Sequence, residues 1–208
     1  LQHEGHPDSK IFHVGHVMVD NVIYQRDKLA LNPIESGLSV DIKNAHSDYG
    51  VVTLHRPSNV DDPEVFAQLV GALRKVSEKL PLIFPVHPRT RANLEKFNLD
   101  LGPAVQLCDP MAYMDFLNLW KDARMVLSDS GGIQEETTAL GVPCLTLREN
   151  TERPITIDQG TNVLVGTDPV AIEREAMQIL TNGGKKGLRP ELWDGNAADR
   201  IIDILLSI

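Results

Sequence analysis

The stretch "RMVLSDSGGIQEETTALGVP" (residues 124–143) starts as an apolar run and ends that run in Asp129-Ser130. It then breaks into Gly131-Gly132 and resumes as a helical pattern led by Gln134, Glu135 and Glu136, which Gly141 and Pro143 stop. A turn needs one glycine at most. Two between a buried strand and a helix indicate that something comes close to the backbone there. A helix opening near Ser130 exposes unpaired N–H groups and a partial positive charge. With no side chains at Gly131 and Gly132, an anion can reach those N–H groups. No Gly-Lys-Thr follows, so this is a phosphate cradle by mechanism and not a Walker loop. The simpler reading, in which Ser130 caps the helix and the glycines only turn the chain, stays open at this point.

The two glutamates refine the ligand. Acids in a first helical turn are stabilising by about 0.3–1 kcal/mol without any ligand, but they repel a diphosphate. One carboxylate must therefore face away or accept hydrogen bonds from hydroxyls. A carboxylate bonded to ribose hydroxyls gains about 1.5–3 kcal/mol for each bond, enough to offset screened repulsion. A nucleotide, with phosphates on the glycines and ribose on a glutamate, uses the whole stretch. Free phosphate leaves the glutamates unexplained.

Working outward, short β-branched runs alternate with helical patterns. "KIFHVGH" (10–16), "YGVVTLH" (49–55), "LPLIFPVH" (80–87), "AVQLCDP", "ARMVLSDS" (123–130), "PCLTLR" and "TNVLVG" read as strands. Helices are expected at 17–31, from Asp62 onward, at "RTRANLEKF", "YMDFLNLW", "IQEETTAL" and "PVAIEREAMQIL", and at the end of the chain, where Ile201, Ile202, Leu205 and Leu206 form an apolar stripe. Asp62-Pro63 and Asp168-Pro169 are cap-then-proline helix starts. The strands are continuously apolar, so both sheet faces are covered. Strand–helix repetition then implies an α/β fold with a doubly wound, Rossmann-like parallel sheet. Residues 17–48 read as a connecting region, helical to 31 and then polar and turn-rich.

Bulk properties bound the function. The 208 residues have ordinary globular composition, with 42% hydrophobic and 24% charged residues. No run is long enough for a membrane helix. The polar start "LQHEGHPDSK" is not a signal peptide, and opening on Leu1 suits a piece of a longer chain. The net charge of −9 argues against nucleic acid as a partner. Cys108 and Cys144 lie in apolar runs and read as buried free thiols, which suits a reducing cytoplasm. His3, His6, His13 and His16 form two His-x-x-His pairs, but no cysteine accompanies them and a loop separates the pairs, so no metal is expected. Nothing calls for a cofactor.

In such a sheet, ligands sit beyond the carboxyl ends of the strands. His55 and Arg56, His87, Ser130 to Gly132, and Arg148 to Arg153 all fall at those ends. Arg56 keeps its charge and suits phosphate oxygens, and His55 can give or take a proton near neutral pH. Each residue alone could be strand-end polarity; their common rim argues otherwise.

The segment "SDSGGIQEETTALGVPCLTLRENTERPITIDQGTNVLVGTDP" resembles the C-terminal region of the non-hydrolysing UDP-N-acetylglucosamine 2-epimerases. "TLHRPSNVDDPE", "FPVHPRTR" and "IFHVGHVMVDNV" fall in that family's order and spacing. The resemblance implies the C-terminal domain of a two-domain, glycosyltransferase-B-like fold that binds a UDP-sugar between its domains. Residues 1–48 would be the end of the N-terminal domain and the crossover helix. Residues 49–190 would be the UDP-binding domain, and 191–208 a C-terminal helix packing back toward the N-terminal domain. By similarity Ser130, Gly131 and Gly132 hold the diphosphate and Glu136 the ribose. Arg56, His87 and Arg153 face the phosphates and sugar, with His55 catalytic, and the uracil lies near "CDPMAY". The family interconverts UDP-N-acetylglucosamine and UDP-N-acetylmannosamine by eliminating and re-adding UDP. Its acid and base carboxylates belong to the N-terminal domain, so this chain alone is expected to bind UDP without epimerising. The resemblance further implies a cytoplasmic homodimer at full length. "VGH" stands where the family more often has "VGN". A UDP-sugar glycosyltransferase of the same architecture and a non-catalytic nucleotide-sugar-binding module are the alternatives.

Overall fold

The computed structural model describes residues 1–207; residue 208, the last of the expected C-terminal helix, lies outside the described residues. After two short 3-10 turns the elements follow in order: α1 (Val17–Leu31), α2 (Leu38–Ala45), β1 (Gly50–Thr53), α3 (Pro57–Val60), α4 (Pro63–Ser77), β2 (Leu82–Pro85), α5 (Pro88–Lys96), β3 (Val105–Cys108), α6 (Tyr113–Trp120), β4 (Met125–Ser128), α7 (Gly131–Leu140), β5 (Cys144–Thr146), α8 (Pro154–Asp158), β6 (Asn162–Leu164), α9 (Pro169–Asn182) and α10 (Ala197–Ser207).

The six strands form one parallel sheet in the order β3-β2-β1-β4-β5-β6. This is the Rossmann order, and it reverses between β1 and β4. Successive strand residues point to opposite faces. Val52, Leu82, Phe84, Leu127 and Leu145 therefore pack on α4 and α9, while Val51, Ile83, Val126 and Cys144 pack on α1, α6 and α7. Covered faces explain why the strands read as unbroken apolar runs. On α4 the stripe of Phe66, Leu69, Leu73 and Val76 is buried, each side chain contributing about 1.5–3 kcal/mol. Asp62 caps α4, accepting from the N–H groups of Glu64 and Val65, and Asp168 caps α9 through Val170. Cys108 and Cys144 are free and buried, and burial pushes their thiols up to about 11 and about 12, so both are inert.

Three local expectations need correction. "KIFHVGH" is not a strand: Asp8–Lys10 is a 3-10 turn and residues 11–16 run without a ladder partner. The segment pairs with none of the six strands of the sheet. The supposed loop after residue 31 contains α2, whose two turns are too short to show a period; buried Ser39 and Ile42 dock it on α6, where Ser39 bonds Asp115. The third concerns α7, which starts on Gly131 itself. Neither glycine of the pair has a positive φ, so they are the first residues of the helix and not a turn.

Candidate functional site

The site lies where the strand order reverses, beyond the ends of β1 and β4. Ser130 precedes α7, and its side chain makes no capping hydrogen bond. A Cβ built on Gly131 would meet nothing within 4 Å, and one on Gly132 only the Met18 methyl at 3.8 Å. The first N–H groups of α7 thus face open space, with the helix dipole behind them. The alternative of a self-capped helix start fails at this position.

Asp129, which the sequence reading passed over, organises the neighbouring turn. It is fully buried, and its carboxylate accepts from the backbone N–H of His55 (3.2 and 3.1 Å) and of Arg56 (2.9 Å) and from the Asn59 amide (3.2 Å). His55 Nδ1 lies 2.9 Å from the same carboxylate. That hydrogen bond raises the His55 pKa above its ordinary value; desolvation and Arg56 pull it the other way, with the Asp129 charge adding to the rise. The Arg56 Nε–H donates to the Asp129 carbonyl at 3.2 Å. One buried carboxylate at the end of β4 therefore sets His55 and Arg56, in the turn after β1. The signal available in the sequence was Asp next to the glycine pair, which reads equally well as a helix-start residue.

The glutamates divide. Glu135, 3% exposed, turns from the glycines: its Oε1 is 3.0 Å from His16 Nε2 and 2.6 Å from Arg153 Nε. Glu136, 8% exposed, accepts from the Tyr113 hydroxyl at 3.2 Å. Burial, helped by the charge of Glu135, pushes the Glu136 carboxyl up to about 7 against the opposing Tyr113 bond. Gln134 holds the overlying loop, accepting from the Thr151 hydroxyl at 2.6 Å, and that loop carries Arg153.

His87 caps α5 through Nδ1 and is exposed at the end of β2. It shares with His55 a hollow of about 200 Å³ whose wall includes Pro110, Met111 and Phe116. His55, Arg56, Ser130, Gly131, Gly132, Glu136 and Arg153 thus gather round the start of α7, with His87 across the hollow. Glu152 holds Arg148 by a two-pronged ion pair (2.7 and 2.8 Å), and its Oε1 also lies 3.9 Å from Arg56. His3, His6 and His13 are exposed, and no three metal-ligating side chains gather among the described residues. Among the same residues no helix is long and apolar enough to cross a membrane. His16, Asp129 and Tyr113 were not singled out for these roles because each acts through a partner distant in sequence, whereas the expectation that one of the two glutamates faces away falls on Glu135.

The family model for UDP-N-acetylglucosamine 2-epimerase matches residues 1–206. The chain belongs to that family. It is 36% identical over 208 residues to the UDP-N-acetylglucosamine 2-epimerase of Methanococcus maripaludis, covering 97% of this chain and 56% of that protein. It is similar in structure to the UDP-GlcNAc 2-epimerase of Methanocaldococcus jannaschii, with a TM-score of 0.84 and 36% identity over 100% of this chain and 58% of the other. The same archaeal epimerase in complex with UDP-GlcNAc and UDP gives a TM-score of 0.83 at 34% identity, with 57% of that chain covered. The chain thus spans a little over half the length of the epimerases it matches.

Proposed function

We propose that this chain is the nucleotide-binding part of a UDP-N-acetylglucosamine 2-epimerase. The observation that carries the reading is the uncapped start of α7, opened by Gly131 and Gly132 and flanked by two arginines. There Ser130, Gly131 and Gly132 hold the diphosphate, Glu136 accepts from the ribose, and Arg56, His87 and Arg153 face the phosphates and sugar. The hollow beside Pro110 and Met111 suits the uracil.

In the reaction so assigned, a carboxylate base outside this chain takes the proton from the second carbon of the sugar. The bond from the first carbon to the diphosphate oxygen breaks, UDP leaves with the electron pair, and a carbon–carbon double bond remains. UDP adds back to the first carbon as a proton returns to the opposite face of the second. The proton-loss step needs a positioned base, and the departing diphosphate needs positive charge already in place. The α7 amides and the arginines supply that charge, and His55, steadied by Asp129, stands as the proton donor to the leaving oxygen.

The helix α10 leaves Ile202, Leu205 and Leu206 exposed, which supports residues 191–208 packing on a preceding domain. By likeness to the family, residues 1–48 end that domain and cross over to 49–190, the two domains together form a glycosyltransferase-B-like protein, and the full-length form is a cytoplasmic homodimer. Calorimetry of the 208-residue protein with UDP is expected to show binding that UDP-N-acetylglucosamine competes for, with no epimerisation. Absence of heat with either ligand would overturn the reading. In a full-length form, exchange of the second-carbon proton with deuterium, without any acceptor, separates the epimerase from a glycosyltransferase or a binding module.

A further inference from the structure

His16 stands where the family resemblance leads one to expect asparagine, and both of its ring nitrogens are engaged. Nδ1 accepts the Met18 N–H at 3.2 Å, capping α1. A nitrogen that accepts carries no proton, so the ring proton sits on Nε2, which then donates to Glu135 Oε1 at 3.0 Å. Trp193 meets the ring edge-on at 5.2 Å and holds its plane. Glu135 is in turn the counter-ion of Arg153, whose Nε lies 2.6 Å from that same Oε1. The N–H is not aimed along this contact, and Glu135 Oε2 is buried with no hydrogen-bond partner.

We propose that His16 is a positioning residue for Arg153: by occupying Glu135 Oε1 it keeps the guanidinium from forking onto both carboxylate oxygens and leaves its outer N–H groups, beyond the Nη1 bond to the Glu152 carbonyl at 3.3 Å, for the anion at α7. An arginine–carboxylate pair left to itself favours the two-pronged arrangement, and the partnerless Oε2 is the oxygen such a fork would take. His16 opens the crossover helix α1, and Glu135 lies in α7, the helix that carries the proposed diphosphate site. The contact therefore ties the crossover to the orientation of a substrate-facing arginine. Asparagine at this position would cap α1 equally well, but its amide is too short to reach Glu135. The proposal rests on Arg153 facing the diphosphate.

Two variants of the 208-residue protein separate the functions of the ring. Asparagine mimics the Nδ1 side of histidine and glutamine the Nε2 side. His16→Asn keeps the cap and loses the donor. Its melting temperature is expected to stay within about 2 °C of wild type while the Kd for UDP rises about fivefold. His16→Gln keeps the donor and loses the cap; melting falls by several degrees, the typical cost of a lost cap, yet UDP affinity recovers to within about twofold. In an Arg153→Ala background His16→Asn should change the Kd no further, because the two changes act through one interaction. If affinity follows melting temperature across the series, or His16→Asn still weakens binding without Arg153, the proposal is wrong. The Arg153 Nε–H resonance gives a readout independent of ligand. It should move in His16→Asn and not in His16→Gln, and an unmoved resonance also overturns the proposal. Failure of wild type to bind UDP, with the resonance moving as expected, would count against the functional reading alone.

Discussion

Replacing Glu136 with glutamine should make the protein more stable as pH rises, relative to wild type, and weaker in UDP binding. The Glu136 carboxyl is raised from an ordinary 4.5 to about 7, chiefly by burial. A carboxyl whose folded pKa is raised contributes stability below its unfolded pKa, and that contribution is lost as pH rises through the folded value. In wild type the loss runs from about pH 4.5 to 7 and beyond. At about 1.4 kcal/mol per pH unit it amounts to roughly 2.5 kcal/mol between pH 5 and pH 8. Glutamine does not titrate, and its carbonyl can still accept from Tyr113. The stability of Glu136→Gln relative to wild type should therefore climb by roughly 2.5 kcal/mol over that interval. For a chain of this size the difference in melting temperature should widen by about 5–10 °C. Scanning calorimetry of both proteins at pH 5, 6, 7 and 8 and fixed ionic strength measures it. A neutral acceptor bonds a ribose hydroxyl about 1 kcal/mol less strongly than a charged one, so the Kd for UDP at pH 8 should rise about fivefold. A melting difference that stays constant with pH, or one that narrows toward pH 8, would refute the burial argument, and an unchanged Kd for UDP would refute the role assigned to the carboxylate.

Two further outcomes test the site. Gly131→Ala places a methyl group in open space on a helix with ordinary dihedrals, so melting should hold or rise, by about 0.5–1 kcal/mol of stability, while calorimetry shows UDP affinity falling at least tenfold as the methyl covers the amides. Asp129→Asn removes the charge beside His55, whose pKa, raised in wild type mainly by that hydrogen bond, should fall back in an NMR titration of its ring. The stability that protonated His55 supplies at low pH, and loses as pH rises through its raised pKa, should shrink accordingly; an unchanged titration would mean that Asp129 does not hold the ring.

Much of the fold is legible because it is written in local patterns. Alternating apolar runs and 3.6-residue stripes mark β1 to β6 and helices such as α4, and Asp62-Pro63 and Asp168-Pro169 mark helix starts that the structure shows capped as expected. "KIFHVGH" has the same apolar character and is not a strand, since a strand exists only when paired with another and none of the six pairs with it. The two turns of α2 escaped because they are held by contact with α6 and not by periodicity.

The site divides in the same way. The residue types at the strand ends, and the glycine pair that leaves helix amides bare, are properties of the sequence itself, because strand direction in a parallel sheet decides which ends carry ligands. Which glutamate meets the ligand region and which turns to Arg153 and His16 was decided by packing. Adjacent residues on a helix point about 100° apart, so neither spacing nor composition says which one the fold will bury against a cation. The same holds for Asp129, whose partners His55, Arg56 and Asn59 lie some seventy residues away along the chain. A buried carboxylate must find its donors wherever the tertiary structure brings them, and only the assembled sheet brings the ends of β1 and β4 together.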